Sequence, residues 1–158
     1  MIEHRVGIAR HAVEREHGRL VAVGLGSCVV ICLHDANARV GAMAHVLLPT
    51  AAPGSEPEHP ARYADTAVPL LLKTMKLHGA EGPYTARLVG GAALFADILT
   101  TTGRVGERNV NAARTALAAA HVPIVAEDVG GTAGRSVAFD VESGSIAIRL
   151  PSGEAHVL

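Results

Sequence analysis

The chain has no tryptophan, two phenylalanines, two tyrosines and two cysteines among its 158 residues. With so few rings, the core must be built mostly from Ala, Val and Leu, within an apolar content of 49%. Two cysteines exclude a disulfide framework and agree with a reducing compartment. A Lys/Arg block is also missing, and the net charge is only −1. Nucleic acids and anionic membranes are held by clustered positive charge, so neither is expected as the main partner. No apolar run approaches the roughly 18 residues a spanning helix needs, and Met1-Ile2-Glu3-His4-Arg5 opens no long apolar leader. The expectation is a cytoplasmic protein without membrane insertion. At this length, one domain over 1–158 can bury a core without staples.

What is present centres on Gly24-Leu25-Gly26-Ser27-Cys28, which runs into Val29-Val30-Ile31-Cys32-Leu33, and on His45 in Met43-Ala44-His45-Val46. The polar break Asp35-Ala36-Asn37-Ala38 between the apolar runs favours a tight turn. If the loop is Ala36-Asn37, Asp35 faces Ala38 and Cys28 directly faces His45, with Cβ atoms roughly 4.5–5.5 Å apart. A one-residue change of register would put the pair on opposite faces. A cysteine in a Val/Ile strand is by default a small hydrophobe. The glycine turn sets Cys28 apart, because it can aim successive N–H groups at one point and leave the thiol approachable. Cys32 has no such setting and reads as core. It would lie about 13 Å from Cys28 along a strand, too far for a disulfide.

Along the chain, Val6-Gly7-Ile8 and Leu20-Val21-Ala22-Val23 read as short strands around a polar link from Arg10 to Arg19. Thr50 to Pro60, with Pro53, Gly54 and Pro57, reads as a surface loop beside the histidine. Helical spacing of Val68, Leu71, Leu72 and Met75 predicts a helix between about Ala61 and His78, kinked or delayed by Pro69. Thr85 to Val89 reads as a buried strand leading into Gly90-Gly91-Ala92-Ala93-Leu94-Phe95, and a second helix is predicted from about Glu107 to Ala120. Ile124-Val125-Ala126 starts another strand, and Val137 to Leu150 reads as a hairpin turning at Ser143-Gly144. The predicted fold is mixed α/β, α+β-like: a layered sheet of mostly antiparallel strands and hairpins flanked by two main helices.

Six blocks resemble the chemoreceptor glutamine deamidase family, CheD. They are Gly24 to Cys28, Gly41-Ala42-Met43-Ala44-His45-Val46-Leu47-Leu48-Pro49, Arg62-Tyr63-Ala64-Asp65-Thr66-Ala67-Val68, Gly90-Gly91-Ala92, Gly106-Glu107-Arg108-Asn109-Val110 and Ala126-Glu127-Asp128-Val129-Gly130-Gly131. The resemblance implies a fold similar to deamidating-toxin cysteine hydrolases and hydrolysis of selected glutamines on methyl-accepting chemotaxis receptors. It also implies two partners, the receptors' cytoplasmic helices and the phosphatase CheC. Cys28 matches the family nucleophile and His45 its base. The third family position, normally Thr, is Ala22, so a backbone carbonyl, a water or another residue has to orient the imidazole.

On this reading His45 takes the Cys28 proton, and pairing with imidazolium would hold the thiol below its ordinary range. Backbone N–H groups around Gly26, Ser27 and Cys28 would receive the oxyanion, with no metal or organic cofactor required. Asp65 and Thr66 read as helix caps, Glu127-Asp128 as a solvated turn or else as a pair that holds a partner or polarises a histidine, and Arg108-Asn109 as groups satisfying a helix end. Two rival classes stand beside the enzyme. One is a metal site from Cys28, Cys32, His34 and His45, disfavoured because ligands spread along a strand do not converge; nor do the remaining histidines show HExxH spacing. The other is a weakly active or inactive module that mainly binds CheC or receptors.

Overall fold

Val29–Asp35 and Val40–Val46 are buried along their whole length, because both faces of this hairpin are covered. That explains why Val29 to Leu33 is an uninterrupted apolar run rather than an alternating one. The computed structural model describes residues 2–94 and 104–158; Phe95, at the end of the glycine-led stretch, lies outside the described residues. The elements are β1 (Glu3–Arg5), β2 (His11–Arg15), β3 (Arg19–Leu25), β4 (Val29–Asp35), β5 (Val40–Val46), α1 (Ala64–Leu77), β6 (Thr85–Gly90), α2 (Val105–Ala119), β7 (Ile124–Val129), β8 (Arg135–Asp140), β9 (Ile146–Arg149) and β10 (Ala155–Val157).

The strands form two five-stranded sheets, ordered β1-β3-β8-β9-β10 and β2-β5-β4-β6-β7. All pairings are antiparallel except β1 with β3 and β6 with β7. Odd-numbered residues of β4 (Val29, Ile31, Leu33) and even-numbered ones of β5 (Val40, Ala42, Ala44, Val46) join Val68, Leu71 and Met75 of α1 and Val110, Ala113 and Leu117 of α2. The opposite face, with Val30, Cys32 and Met43, meets Leu20, Ala22, Val137, Phe139, Ile146 and Ile148 of the other sheet. The molecule is therefore layered sheet, sheet, helices, the mixed α/β class predicted.

Several local expectations change. Val6-Gly7-Ile8 is not a strand; β1 precedes it, and the supposed polar link holds β2. β2 lies at a sheet edge with mostly polar, part-exposed residues, so it carries little alternation signal. α1 begins at Ala64 and keeps Pro69 inside it. Its N-cap is Tyr63, without a side-chain cap; Asp65 Oδ1 instead accepts Ala51 N–H at 3.1 Å, and Thr66 Oγ1 donates to Pro60 O at 2.6 Å. Glu127 and Asp128 lie in β7, not in a turn. Asp128 binds Arg135 Nε at 3.2 Å and His156 Nε2 at 2.7 Å, and so clips β7 to β8 and β10 of the other sheet. Glu127 pairs with Arg114 of α2.

Candidate active site

The β4–β5 turn is longer than two residues. Asp35 pairs with Val40, and His45 faces Val30 rather than Cys28. Two interactions explain the extra length. Asp35 Oδ1 accepts the Ala38 N–H at 3.0 Å, and Arg39 takes a left-handed backbone with φ 52°. The register moves by two residues, not one, so the side-chain parity survives. Cys28, two residues before Val30, and His45 share the face between the sheets as diagonal rather than direct neighbours. In a regular ladder such diagonal positions are roughly 7–8 Å apart, within reach of long side chains.

His45 is held from behind. Its Nδ1–H donates to the carbonyl of Val6 at 3.0 Å, which leaves Nε2 as the basic nitrogen of the neutral ring. Val6 is itself anchored, its N–H donating to Val21 O at 2.7 Å. Val21 adjoins Ala22, which is fully buried in the inter-sheet core. A backbone carbonyl thus orients the imidazole where the missing hydroxyl at Ala22 would have been invoked. No sequence signal marks a carbonyl donated by an irregular segment.

The Gly26-Ser27-Cys28 turn between β3 and β4 has all its carbonyls engaged. Gly26 O accepts from Ala92 N at 2.9 Å and Cys28 O from Gly91 N at 2.9 Å. Ser27 O accepts from Asn109 Nδ2 at 2.9 Å. Among the described residues, the N–H groups of these same three residues have no hydrogen-bond partner. Such a row of unpaired donors beside a thiol suits a developing negative charge. Gly90 is needed for this packing. Its φ is 117°, and a Cβ there would lie 2.2 Å from the Cys28 carbonyl oxygen. The start of α2 closes in equally tightly, since a Cβ on Gly106 would lie 2.5 Å from Gly91 O. The Gly90-Gly91 and Gly106 blocks therefore make one contact, against the back of the nucleophile turn.

Burial pushes the Cys28 thiol above its ordinary value, and burial lowers the His45 ring, partly opposed by its bond to Val6. Desolvation therefore works against the expected thiolate–imidazolium pair, since it penalises both charges. Cys28 keeps 7% exposure, and an open cleft of about 660 Å³ lined by Gly24, Leu25, Gly26, Leu94 and Arg149 adjoins its turn. The proposed metal ligands serve other ends. His34 Nε2 donates to Val141 O at 2.7 Å, and Cys32 is sealed in the core. No group of three or more potential metal ligands is found among the described residues. Nor is any helix among them long and apolar enough to cross a membrane. Asn109 carries more than its letters suggest: it does not satisfy its own helix end but reaches two carbonyls outside α2, those of Ser27 in the β3–β4 turn and of Leu47 just past β5.

Comparison with known proteins gives a consistent result. Residues 47–150 match the family model described as CheD chemotactic sensory transduction, a match that begins two residues beyond His45. The chain is 40% identical over 149 residues to the chemoreceptor glutamine deamidase CheD of Thermotoga maritima, covering 94% of this chain and 92% of the relative. It is 40% identical over 152 residues to the probable chemoreceptor glutamine deamidase CheD of Pyrococcus abyssi, covering 96% and 93%. The corresponding protein of Clostridium botulinum is 33% identical over 150 residues, covering 94% and 93%.

Proposed function

The chain belongs to the CheD family, and on that premise we propose that it hydrolyses glutamine side chains of chemoreceptors to glutamates through a thioester on Cys28. The observation that carries this reading is the pairing of a thiol with N–H groups of its own turn that have no partner among the described residues, on the face that also presents an anchored imidazole.

In the proposed sequence, Nε2 of His45 takes the proton from Sγ as the sulfur bonds to the carboxamide carbon. Because burial disfavours the charged form of each group, proton transfer is proposed to accompany attack rather than precede it. The carbonyl electrons move onto oxygen, and the N–H groups of Gly26, Ser27 and Cys28 are the donors available to receive them. Nε2–H then protonates the nitrogen, the C–N bond breaks and ammonia leaves. Water gives a proton to Nε2 and its oxygen attacks the thioester carbon. The C–S bond breaks, Sγ regains the proton, and a glutamate side chain remains. The carbonyl of Val6 keeps the correct tautomer throughout, the role a side-chain acceptor fills in other triads. No metal or organic cofactor enters this sequence. The substrate segment is proposed to approach over the cleft beside Gly24 to Gly26. The proposed partners are the receptors' cytoplasmic helices and CheC, and the proposed place of action is the cytoplasm.

A binding module without catalysis is the second reading, and the near-complete burial of Cys28 is the observation on its side. Ammonia release from a receptor cytoplasmic fragment separates the two. Turnover by wild type and none by Cys28→Ala supports the enzyme; no turnover by wild type, with the fragment still bound, supports the module.

A further inference from the structure

Asn109 sits in the first turns of α2, fully buried, and its amide nitrogen reaches two carbonyl oxygens: Ser27 at 2.9 Å and Leu47 at 3.0 Å. Carbonyls only accept, so the nitrogen end of the amide must face both. The cost falls on Oδ1, which is buried with no partner among the described residues. A buried acceptor without a partner opposes folding, and it calls for an explanation other than stability.

Ser27 O and the Cys28 N–H belong to one trans peptide plane and point in opposite directions. Holding that oxygen therefore aims the Cys28 N–H away from α2. The second bond ties the same amide to Leu47, two residues beyond His45 and just past the end of β5, the strand that carries the base. We propose that Asn109 is a positioning residue that sets the Ser27–Cys28 peptide so that the Cys28 N–H serves as an oxyanion donor. The proposal rests on the Cys28/His45 reading given above. It assigns Asn109 to stabilisation of the tetrahedral oxyanion, not to generation of the thiolate.

That division of labour is measurable, since alkylation of a thiol needs no oxyanion donor whereas deamidation does. Wild type, Asn109→Ala, Asn109→Ser, His45→Ala and Cys28→Ala are compared for kcat and KM on a receptor cytoplasmic fragment, for the rate of Cys28 alkylation by iodoacetamide, and by circular dichroism. Loss of one oxyanion donor lowers kcat by about 10²–10³. Asn109→Ala is expected to show such a loss with KM and the alkylation rate within about threefold of wild type, and Asn109→Ser, whose hydroxyl can still donate, a smaller one. Unchanged kcat, parallel loss of deamidation and alkylation, or failure of both variants to fold overturns the proposal. Failure of the underlying reading looks different: Cys28→Ala would keep turning over, or His45→Ala would leave both rates unchanged.

Discussion

The carbonyl of Val6 accepts the Nδ1–H of His45 at 3.0 Å, and Val6 is in turn pinned to Val21, the neighbour of Ala22. The imidazole is thereby oriented by backbone, whereas the family resemblance would assign that task to a threonine hydroxyl at position 22. Restoring that hydroxyl with Ala22→Thr should bring no gain in kcat beyond about threefold, because the tautomer is already fixed. The larger side chain also enters a fully buried site, which typically costs about 1–3 kcal/mol. Steady-state deamidation and urea unfolding check both parts; a tenfold rise in kcat would show that Val6 does not suffice.

The thiols should differ sharply. Burial raises both pKa values, Cys32 further than Cys28, and only Cys28 keeps contact with solvent. Iodoacetamide with peptide mapping should label Cys28 alone, slowly at pH 7 and faster as pH rises. His45→Ala should slow Cys28 by about tenfold or more through loss of the base. Rapid pH-independent labelling near neutrality would reveal a preformed thiolate and contradict the raised Cys28 pKa.

Stability should fall on mild acidification. Burial holds His34 and His45 below the ordinary histidine range, so the folded chain prefers both rings neutral. In the unfolded chain they protonate near pH 6.5. Below that pH the unfolded state takes up protons that the folded state refuses, so stability declines until pH passes the folded values; above it these rings contribute no slope. Each ring contributes at most about 1.4 kcal/mol per pH unit. Urea unfolding between pH 7.5 and 5 should show the decline, reduced by one ring's share in His45→Gln. A flat wild-type profile would contradict it.

Asp35 holds the register that brings Cys28 and His45 to one face. It is buried, and its oxygens accept N–H groups of Ala38 at 3.0 Å and Gly82 at 2.9 Å. Asp35→Ala leaves two donors without their acceptor and should cost about 2–4 kcal/mol in urea unfolding. A loss below 1 kcal/mol would mean that the turn is fixed elsewhere.

Much of this was legible in the letters. The unbroken run Val29 to Leu33 announced a strand covered on both faces, and Val137, Phe139, Ile146 and Ile148 announced a hairpin with one inward face, which the pairing of Val137 with Ile148 reproduces. The Asp35 to Val40 turn is longer than its letters suggest because one side-chain-to-backbone hydrogen bond and one left-handed arginine set its length, and composition reports neither. β2 escaped because His11 to Arg15 lies at an edge, where polarity hides the alternation. Three contributors to the site were invisible for one shared reason. The Val6 carbonyl, the Gly26 to Cys28 N–H groups and the far reach of Asn109 depend on backbone direction, which residue types do not encode.

The most direct test of the account is mass spectrometry of a receptor cytoplasmic fragment incubated with wild type and with Cys28→Ala. The account predicts a gain of about one dalton at particular glutamines with wild type only, the exchange of NH₂ for OH that thioester hydrolysis leaves behind. The same gain with Cys28→Ala, or none with wild type, would contradict it.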